Sequence, residues 1–383
     1  MTRPIHQPNQ ALNTSERPLV SICLPTLNAI EFLRQRTDSI LSQTLSDWEL
    51  IVCDSYSDDG TWEHLSELAT DARVRLYRVP KEGLYAGWNE CLRRVRGEFV
   101  YVATADDTMY PRCLEILAAP LLANPDVDMV VTEVDEIDVH DQILPRPQPR
   151  IWKYLGAVLQ GRPGRISRET FALLLAGFPL GIGSITGVLI RRRLLEKTGL
   201  YPTDLSYLGD AEWALRAALA SDIIALPDRV ATWRIRPGQA SRKFDLGQSL
   251  IFRRALERVL DDPQSGVPDH WKQVPDWRKR VLGPRSWAAV EYSGLLRMNL
   301  RRNAHLFPRR LMNTWQQDRA LFWERVSSLF AFPAGLRRDY ETIVSELLKD
   351  FHAEWPPRIV EVHAGHDVPL GQAPPSVSRP TLC

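Results

Sequence analysis

Between residues 19 and 107, four runs of β-forming residues alternate with helix-like stretches, and each run stops on a polar turn. Leu19-Val20-Ser21-Ile22-Cys23-Leu24 ends at Pro25-Thr26-Leu27-Asn28, and Trp48-Glu49-Leu50-Ile51-Val52-Cys53 ends at Asp54-Ser55-Tyr56-Ser57-Asp58-Asp59-Gly60. Val74-Arg75-Leu76-Tyr77-Arg78-Val79 meets Pro80-Lys81-Glu82-Gly83, and Val100-Tyr101-Val102-Ala103 climbs into Thr104-Ala105-Asp106-Asp107. Apolar runs of this kind suit strands buried on both faces. Helical spacers of roughly ten or more residues suit parallel crossovers and not hairpins. The pattern predicts an α/β chain built on a mostly parallel sheet flanked by helices. All four turns would then emerge on the edge where open α/β sheets bind their ligands.

That edge would carry Asp54, Asp58, Asp59, Glu82, Asp106 and Asp107. Converging carboxylates repel one another unless cations or protons join them. All-oxygen donors favour a hard ion, Mg²⁺ or Mn²⁺, over zinc, and a diphosphate-linked substrate would complete its coordination. Taken singly, each pair has a plainer reading: an Asp pair also caps helices and closes turns. The joint placement after successive strands is what favours a ligand site. No G-x-G-x-x-G follows the first strand, and neither G-x-x-x-x-G-K-[ST] nor G-x-S-x-G occurs, which removes the main support for dinucleotide, P-loop and serine-hydrolase chemistry.

Composition narrows the class further. A net charge of +1 gives no argument for nucleic-acid binding, and no apolar run reaches membrane-spanning length. Residues 1–18 are polar and read as a disordered leader without a secretory core. Cys23 and Cys53 lie inside apolar runs as reduced thiols, so a cytoplasmic protein, with a place at the inner membrane face left open, is expected.

Beyond Asp107, periodicity predicts a helix over 111–122, a strand over 127–132, a Pro/Arg-rich loop over 142–150 and a strand at 188–190. A helix over 209–220 carries Asp210 and Glu212, and strand-like segments follow at 223–226 and 230–235. The expected division is a core unit over 19–245 (halves 19–133 and 134–245), a helical basic and Trp-rich extension over 246–356, and a loose Pro-rich tail over 357–383.

VSICLPTLN, WELIVCDSYSDDGTW and KEGLYAGWNECLRRVRGEFVYVATADD together resemble the N-terminal half of family 2 glycosyltransferases with the GT-A fold, and the likeness extends over about 19–240. The resemblance implies that Pro25, Thr26, Asn28 and Asp54 contact the nucleotide, with Glu82 and Asn89 in the third motif on the same side. It implies that Asp106 meets the ribose and the metal–diphosphate, and that Asp107 is the principal metal contact. Thr104 stands where the fuller family form has an acid. LGDAEWALRAAL resembles the family's base motif, with Asp210 as general base and Glu212 as the alternative; an acid there also gains simply by standing at a helix N-terminus. The segment 233–241 resembles the acceptor side, and its Arg236 is a candidate partner for the diphosphate.

The implied reaction is inverting transfer from a nucleoside-diphosphate sugar, a UDP-sugar by family expectation, to a glycan or lipid-linked acceptor in surface polysaccharide or glycolipid assembly. A sugar nucleotidylyltransferase would want a Gly-rich, basic turn after the first strand, which PTLNAIEF lacks. A degenerate nucleotide-sugar-binding scaffold remains an alternative because of Thr104. In the C-terminal third, 271–340 holds 14 Arg/Lys against 5 Asp/Glu with Trp271, Trp277, Trp287, Trp315 and Trp323 interleaved. That composition suits either a basic membrane-surface helix pair or an ordinary helical appendage.

Overall fold

The computed structural model describes residues 17–145, 150–177, 184–237, 239, 246–282, 312, 315, 316, 319, 323 and 340–361. The four runs form β1 (Val20–Thr26), β2 (Trp48–Asp54), β3 (Val74–Arg78) and β4 (Phe99–Val102). β1 pairs with both β2 and β4, and β2 with β3, all parallel. Helices α1 (Ile30–Leu41), α2 (Thr61–Leu68) and α3 (Leu84–Leu92) connect them. This half is the parallel sheet the alternation predicts.

The second half is mixed. After β5 (Thr108–Met109) and α4 (Cys113–Ala123) come β6 (Met129–Ile137), α5 (Arg150–Leu159), β7 (Gly164–Ile166), α6 (Arg168–Gly177), β8 (Val188–Arg191), α7 (Arg192–Thr198), α8 (Gly209–Ala220) and β9 (Ile223–Arg234). β8 lies antiparallel between β4 and β6, β9 runs parallel to β6, and β5 and β7 each pair antiparallel with β9. The two segments expected at 223–226 and 230–235 are one strand, whose register with β6 shifts beside Pro227, a residue without a ladder N–H.

Alternation along each strand sends side chains to opposite faces. Val20, Ile22, Leu24, Leu50, Val52 and Phe99 pack with α1 and α4, whereas Cys23, Ile51, Cys53, Val100 and Val102 pack with α3, α6 and α8. Helices α9 (Leu246–Asp261), α10 (Trp277–Leu282) and α11 (Tyr340–Asp350) send Leu256, Val259, Val281, Val344 and Leu347 into that second core.

Trp271 is 1% exposed and meets Phe351 edge-on at 5.2 Å between ring centroids. Within the segment expected as a loose tail from 357, Arg358–Ile359 form β10, antiparallel to β7 at the sheet edge. Met312 and Trp323 are exposed, and Trp315 meets Trp323 edge-on. The leader to residue 16, the basic stretches of 285–311 with Trp287, and the tail from 362 lie outside the described residues. No helix among the described residues is long and apolar enough to cross a membrane.

Candidate active site

A cleft of about 700 Å³ opens along the carboxyl ends of the parallel strands, within the size range of small-molecule sites. The end of β1 and the turn after it supply Pro25, Thr26 and Asn28; the segment after β4 supplies Thr104, Asp106 and Asp107; the start of α8 supplies Asp210; and the end of β9 and the segment after it supply Trp233 and Arg236. Lys81, Tyr85, Trp88 and Tyr207 also line it. The chain folds so because β4 and β9, far apart in sequence, are joined through β5, whose Thr108 hydroxyl lies 2.7 Å from that of Thr232.

The acidic edge is less crowded than its sequence suggests. Of the six expected carboxylates only Asp106 and Asp107 line the cleft, with Glu31 and Asp210 from helices. Asp59 accepts from the backbone N–H groups of Ile30 and Thr61, 3.1 and 3.0 Å away, and so tends the first turns of α1 and α2. Asn28, in the left-handed region at φ 48°, accepts from the Asp58 N–H at 3.1 Å, while its own N–H donates to the Ser57 hydroxyl at 2.9 Å. These bonds stitch the first two turns together.

Asp54 is likewise occupied within the turns. It is fully buried, and it accepts from the Thr26 hydroxyl (2.9 Å), the Ser57 hydroxyl (2.5 Å) and the Ser57 N–H (3.0 Å). Its carboxylate braces the turns instead of facing the cleft. Asn89 is also a brace: its amide donates to the Tyr201 carbonyl at 2.8 Å and accepts from the Tyr201 N–H at 3.0 Å, both buried. Glu82 is exposed and stands outside the cleft lining.

Asp107 is 1% exposed. Its Oδ1 accepts from the Arg234 N–H at 2.8 Å, and its Oδ2 accepts from the Thr104 hydroxyl. Burial and then the neighbouring Asp106 charge push its pKa up to about 7, against the pull of the Thr104 and Arg234 bonds and the Arg36 charge. Asp106 Oδ2 accepts from Arg236 Nε at 2.7 Å. Thr104, absent as an acid, therefore serves as a donor that holds Asp107.

Two arginines that sequence reasoning passed over complete this wall. Arg234 is fully buried, reaching the carbonyls of Asp106 (2.7 Å) and Asp138 (2.9 Å), Gln35 Oε1 (2.8 Å) and Asp141 Oδ1 (2.8 Å). Arg36 is fully buried under the same wall, its guanidinium 5.7 Å from the Tyr101 ring centroid. Arg36 stands in the helical pattern of α1 and Arg234 ends strand β9, so charge in an otherwise apolar pattern marks each, but not its target.

The acid pair fits a hard divalent cation. Among the described residues no group of three or more His, Cys, Asp or Glu side chains gathers, so Asp106 and Asp107 are the two carboxylates that this wall of the cleft offers. That donor count matches an ion brought in on a diphosphate. The upward-shifted Asp107 carboxyl marks negative charge that such an ion would balance.

On the opposite side of the sequence, Asp210 stands in the first turn of α8. Its Oδ1 accepts from the Tyr85 hydroxyl at 2.9 Å and from the Ala211 N–H at 2.8 Å. The carboxyl opens partly to the cleft but is otherwise ringed by protein. Desolvation raises its pKa above the usual carboxylate range, while the Tyr85 and Ala211 bonds oppose the rise. Glu212, the alternative base, is placed differently. Two residues on a helix point about 200° apart, and Glu212 is buried away from the cleft lining, paired with Arg216 at 2.7 Å and with Arg258 of α9 at 3.3 Å.

A parallel nucleotide half, an Asp pair after its fourth strand, and a helix-borne carboxylate in the same cleft define the GT-A class of fold. Residues 21–199 match the model for glycosyl transferase family 2. The chain is 35% identical over 131 residues to the O-antigen biosynthesis protein RfbC of Myxococcus xanthus, covering 32% of this chain and 10% of that protein. It is 33% identical over 107 residues to the UDP-Glc:alpha-D-GlcNAc-diphosphoundecaprenol beta-1,3-glucosyltransferase WfgD of Escherichia coli, covering 28% of this chain and 42% of that one. The chain thus spans only a tenth and under half of these relatives' lengths. The mannosyltransferase PcManGT of Pyrobaculum calidifontis, solved with GDP-Man and Mn²⁺, shares the fold with a TM-score of 0.52 and 18% identity, over 88% of this chain and 87% of that one.

Proposed function

We propose that this chain is an inverting glycosyltransferase that moves a sugar from a nucleoside-diphosphate donor to an acceptor hydroxyl. The observation that carries the reading is the cleft itself, which gathers Asp106, Asp107 and Asp210 from β4 and α8 around one substrate-sized space. Asp106 and Asp107 would hold Mg²⁺ or Mn²⁺, and the ion would offset charge building on the departing diphosphate. Arg236, within the same lining, can exchange its Asp106 partner for a phosphate oxygen.

Asp210 acts as general base. Its ionised carboxylate takes the proton of the acceptor hydroxyl while that oxygen bonds to the anomeric carbon. The bond from that carbon to the diphosphate oxygen breaks, and the nucleoside diphosphate leaves with the electron pair. One displacement inverts the anomeric centre. A raised pKa suits this task, because a base works best near the operating pH. Among relatives, WfgD is named for UDP-Glc and a diphosphoundecaprenol-linked acceptor, and RfbC for O-antigen biosynthesis. These names favour a UDP-sugar donor, a glycan or lipid-linked acceptor and a place in surface polysaccharide assembly.

The test is release of nucleoside diphosphate from a panel of UDP- and GDP-sugars with Mn²⁺ and lipid-linked or free glycan acceptors. Asp210→Asn is expected to lower turnover about 10²–10⁴-fold with donor binding retained, whereas Asp107→Ala abolishes metal-dependent donor binding. Turnover by Asp210→Asn at the wild-type rate would overturn the assignment of the base.

A further inference from the structure

Tyr85 is 3% exposed, yet its hydroxyl reaches the cleft wall. Three features fix its ring. It stacks on Tyr201 at 5.9 Å with planes 10° apart, and it meets Trp88 edge-on at 5.4 Å. Its third neighbour is Gly209, the residue before Asp210. A Cβ there would lie 2.7 Å from Tyr85 Cδ2 and 2.6 Å from the Pro202 carbonyl oxygen. The missing side chain therefore lets α8 close onto the ring, which delivers the Tyr85 hydroxyl to Asp210 Oδ1 at 2.9 Å. The Tyr85 and Ala211 hydrogen bonds to the Asp210 carboxyl fall on the same oxygen, Oδ1.

We propose that Tyr85 is the positioning residue for the base: its hydroxyl pins one oxygen of Asp210, leaves Oδ2 for the acceptor, and favours the charged carboxylate. The inference rests on Asp210 being the base. It reaches beyond that reading because it gives a role to a residue 125 positions away that no motif assigns.

Glu31, Lys81 and Tyr207 line the same cleft as Asp210, and charges on the elements packed against α8 are matched by neighbours. Glu212 on its own helix is paired with Arg216 and with Arg258 of α9. From α7, Lys197 and Arg193 bind Asp128, and Arg192 pairs with Glu196. The stretch Phe171–Ala176 of α6 is buried and apolar. Tyr201 is a neutral phenol, and Asp106 is held by Arg236 across the lining. Tyr85 itself stays neutral, because burial and then the Asp210 charge push its ionisation far up. A hydroxyl given to a carboxylate stabilises the ionised form, so losing it raises the carboxyl pKa.

The experiment uses the full chain and needs no identified acceptor. Folding stability of wild type, Tyr85→Phe, Asp210→Asn and the double variant is measured by urea denaturation from pH 4 to 8.5. Phenylalanine keeps the ring and its stacking, so any packing cost is the same at every pH. The variant's folded state holds the Asp210 proton to higher pH than wild type does. Its stability deficit therefore grows with pH, by about 10–100-fold in the folding constant, and the growth disappears in the Asp210→Asn background. A deficit that does not change with pH, or one that still grows in the Asn background, overturns the role of Tyr85. With an active donor, Tyr85→Phe is also expected to move the acid limb of kcat to higher pH while donor KM stays near wild type. Loss of the base assignment would appear differently, as undiminished turnover by Asp210→Asn.

Discussion

Replacing Arg234 by methionine is expected to cost about 2–4 kcal/mol of stability and to loosen the acid pair. The magnitude follows from what each partner loses. Gln35 is exposed and Asp141 is 48% exposed, so both rewet and contribute little. The carbonyls of Asp106 and Asp138 are partly shielded, and each loses a charge-assisted donor at 2.7 or 2.9 Å, about 1–3 kcal/mol apiece. Relief from burying a guanidinium returns part of that sum. Asp107 keeps its bond to the Arg234 main-chain N–H, so the damage falls on the Asp106 backbone and on donor binding. Urea denaturation would read the stability loss. Calorimetric titration with UDP and Mn²⁺ would read affinity, expected to fall about tenfold, or roughly 1.4 kcal/mol. Asp141→Asn is the control and should cost under about 1 kcal/mol. An Arg234→Met midpoint indistinguishable from that of Asp141→Asn would refute the claim that this buried fork supports the site.

Gly209→Ala should destabilise the chain by about 1–3 kcal/mol, because its Cβ meets a backbone oxygen and a ring that is fixed on its other faces; thermal melting and kcat would fall together. Glu212→Gln removes the charge that Arg216 and Arg258 share, and because Arg258 is 41% exposed and keeps Asp204 while Arg216 keeps the Leu200 carbonyl, it should cost about 1–3 kcal/mol of stability, with the folded fraction still turning over; selective loss of kcat in a stable variant would restore Glu212 as a base candidate. Metal binding competes with the proton on Asp107, whose pKa stands at about 7. Its folded value is raised, so the apo protein loses stability between about pH 4 and 7 as the unfolded state sheds its proton first. The rise in melting temperature on adding Mn²⁺ and UDP should accordingly be larger at pH 8 than at pH 6, and equal rises would contradict it.

Local pattern alone determined a great deal. Apolar runs ending on polar turns, with helical spacers between them, dictate parallel β1 to β4 and bring their carboxyl ends to one edge, because strand burial and crossover length are local properties. The Asp106-Asp107 step and Asp210 at a helix start were legible for the same reason. Competition for hydrogen bonds was not legible. Asp54 looks in sequence like a ligand-facing acid, but the Thr26 and Ser57 hydroxyls that occupy it come from two different turns. Asn89 is claimed by the main chain of Tyr201. Asp210 and Glu212 are equivalent as letters in one helical turn, and only the packing of α8 against α3 and α9 decides which faces the cleft. Tyr85 and Arg234 depend on contacts across 125 and 128 residues, which no periodicity encodes. Sequence thus set the sheet, its binding edge and the kinds of group available there. Tertiary structure decided which carboxylates stay open to a substrate, because a buried polar group goes to whichever donor the packed chain brings within about 3 Å.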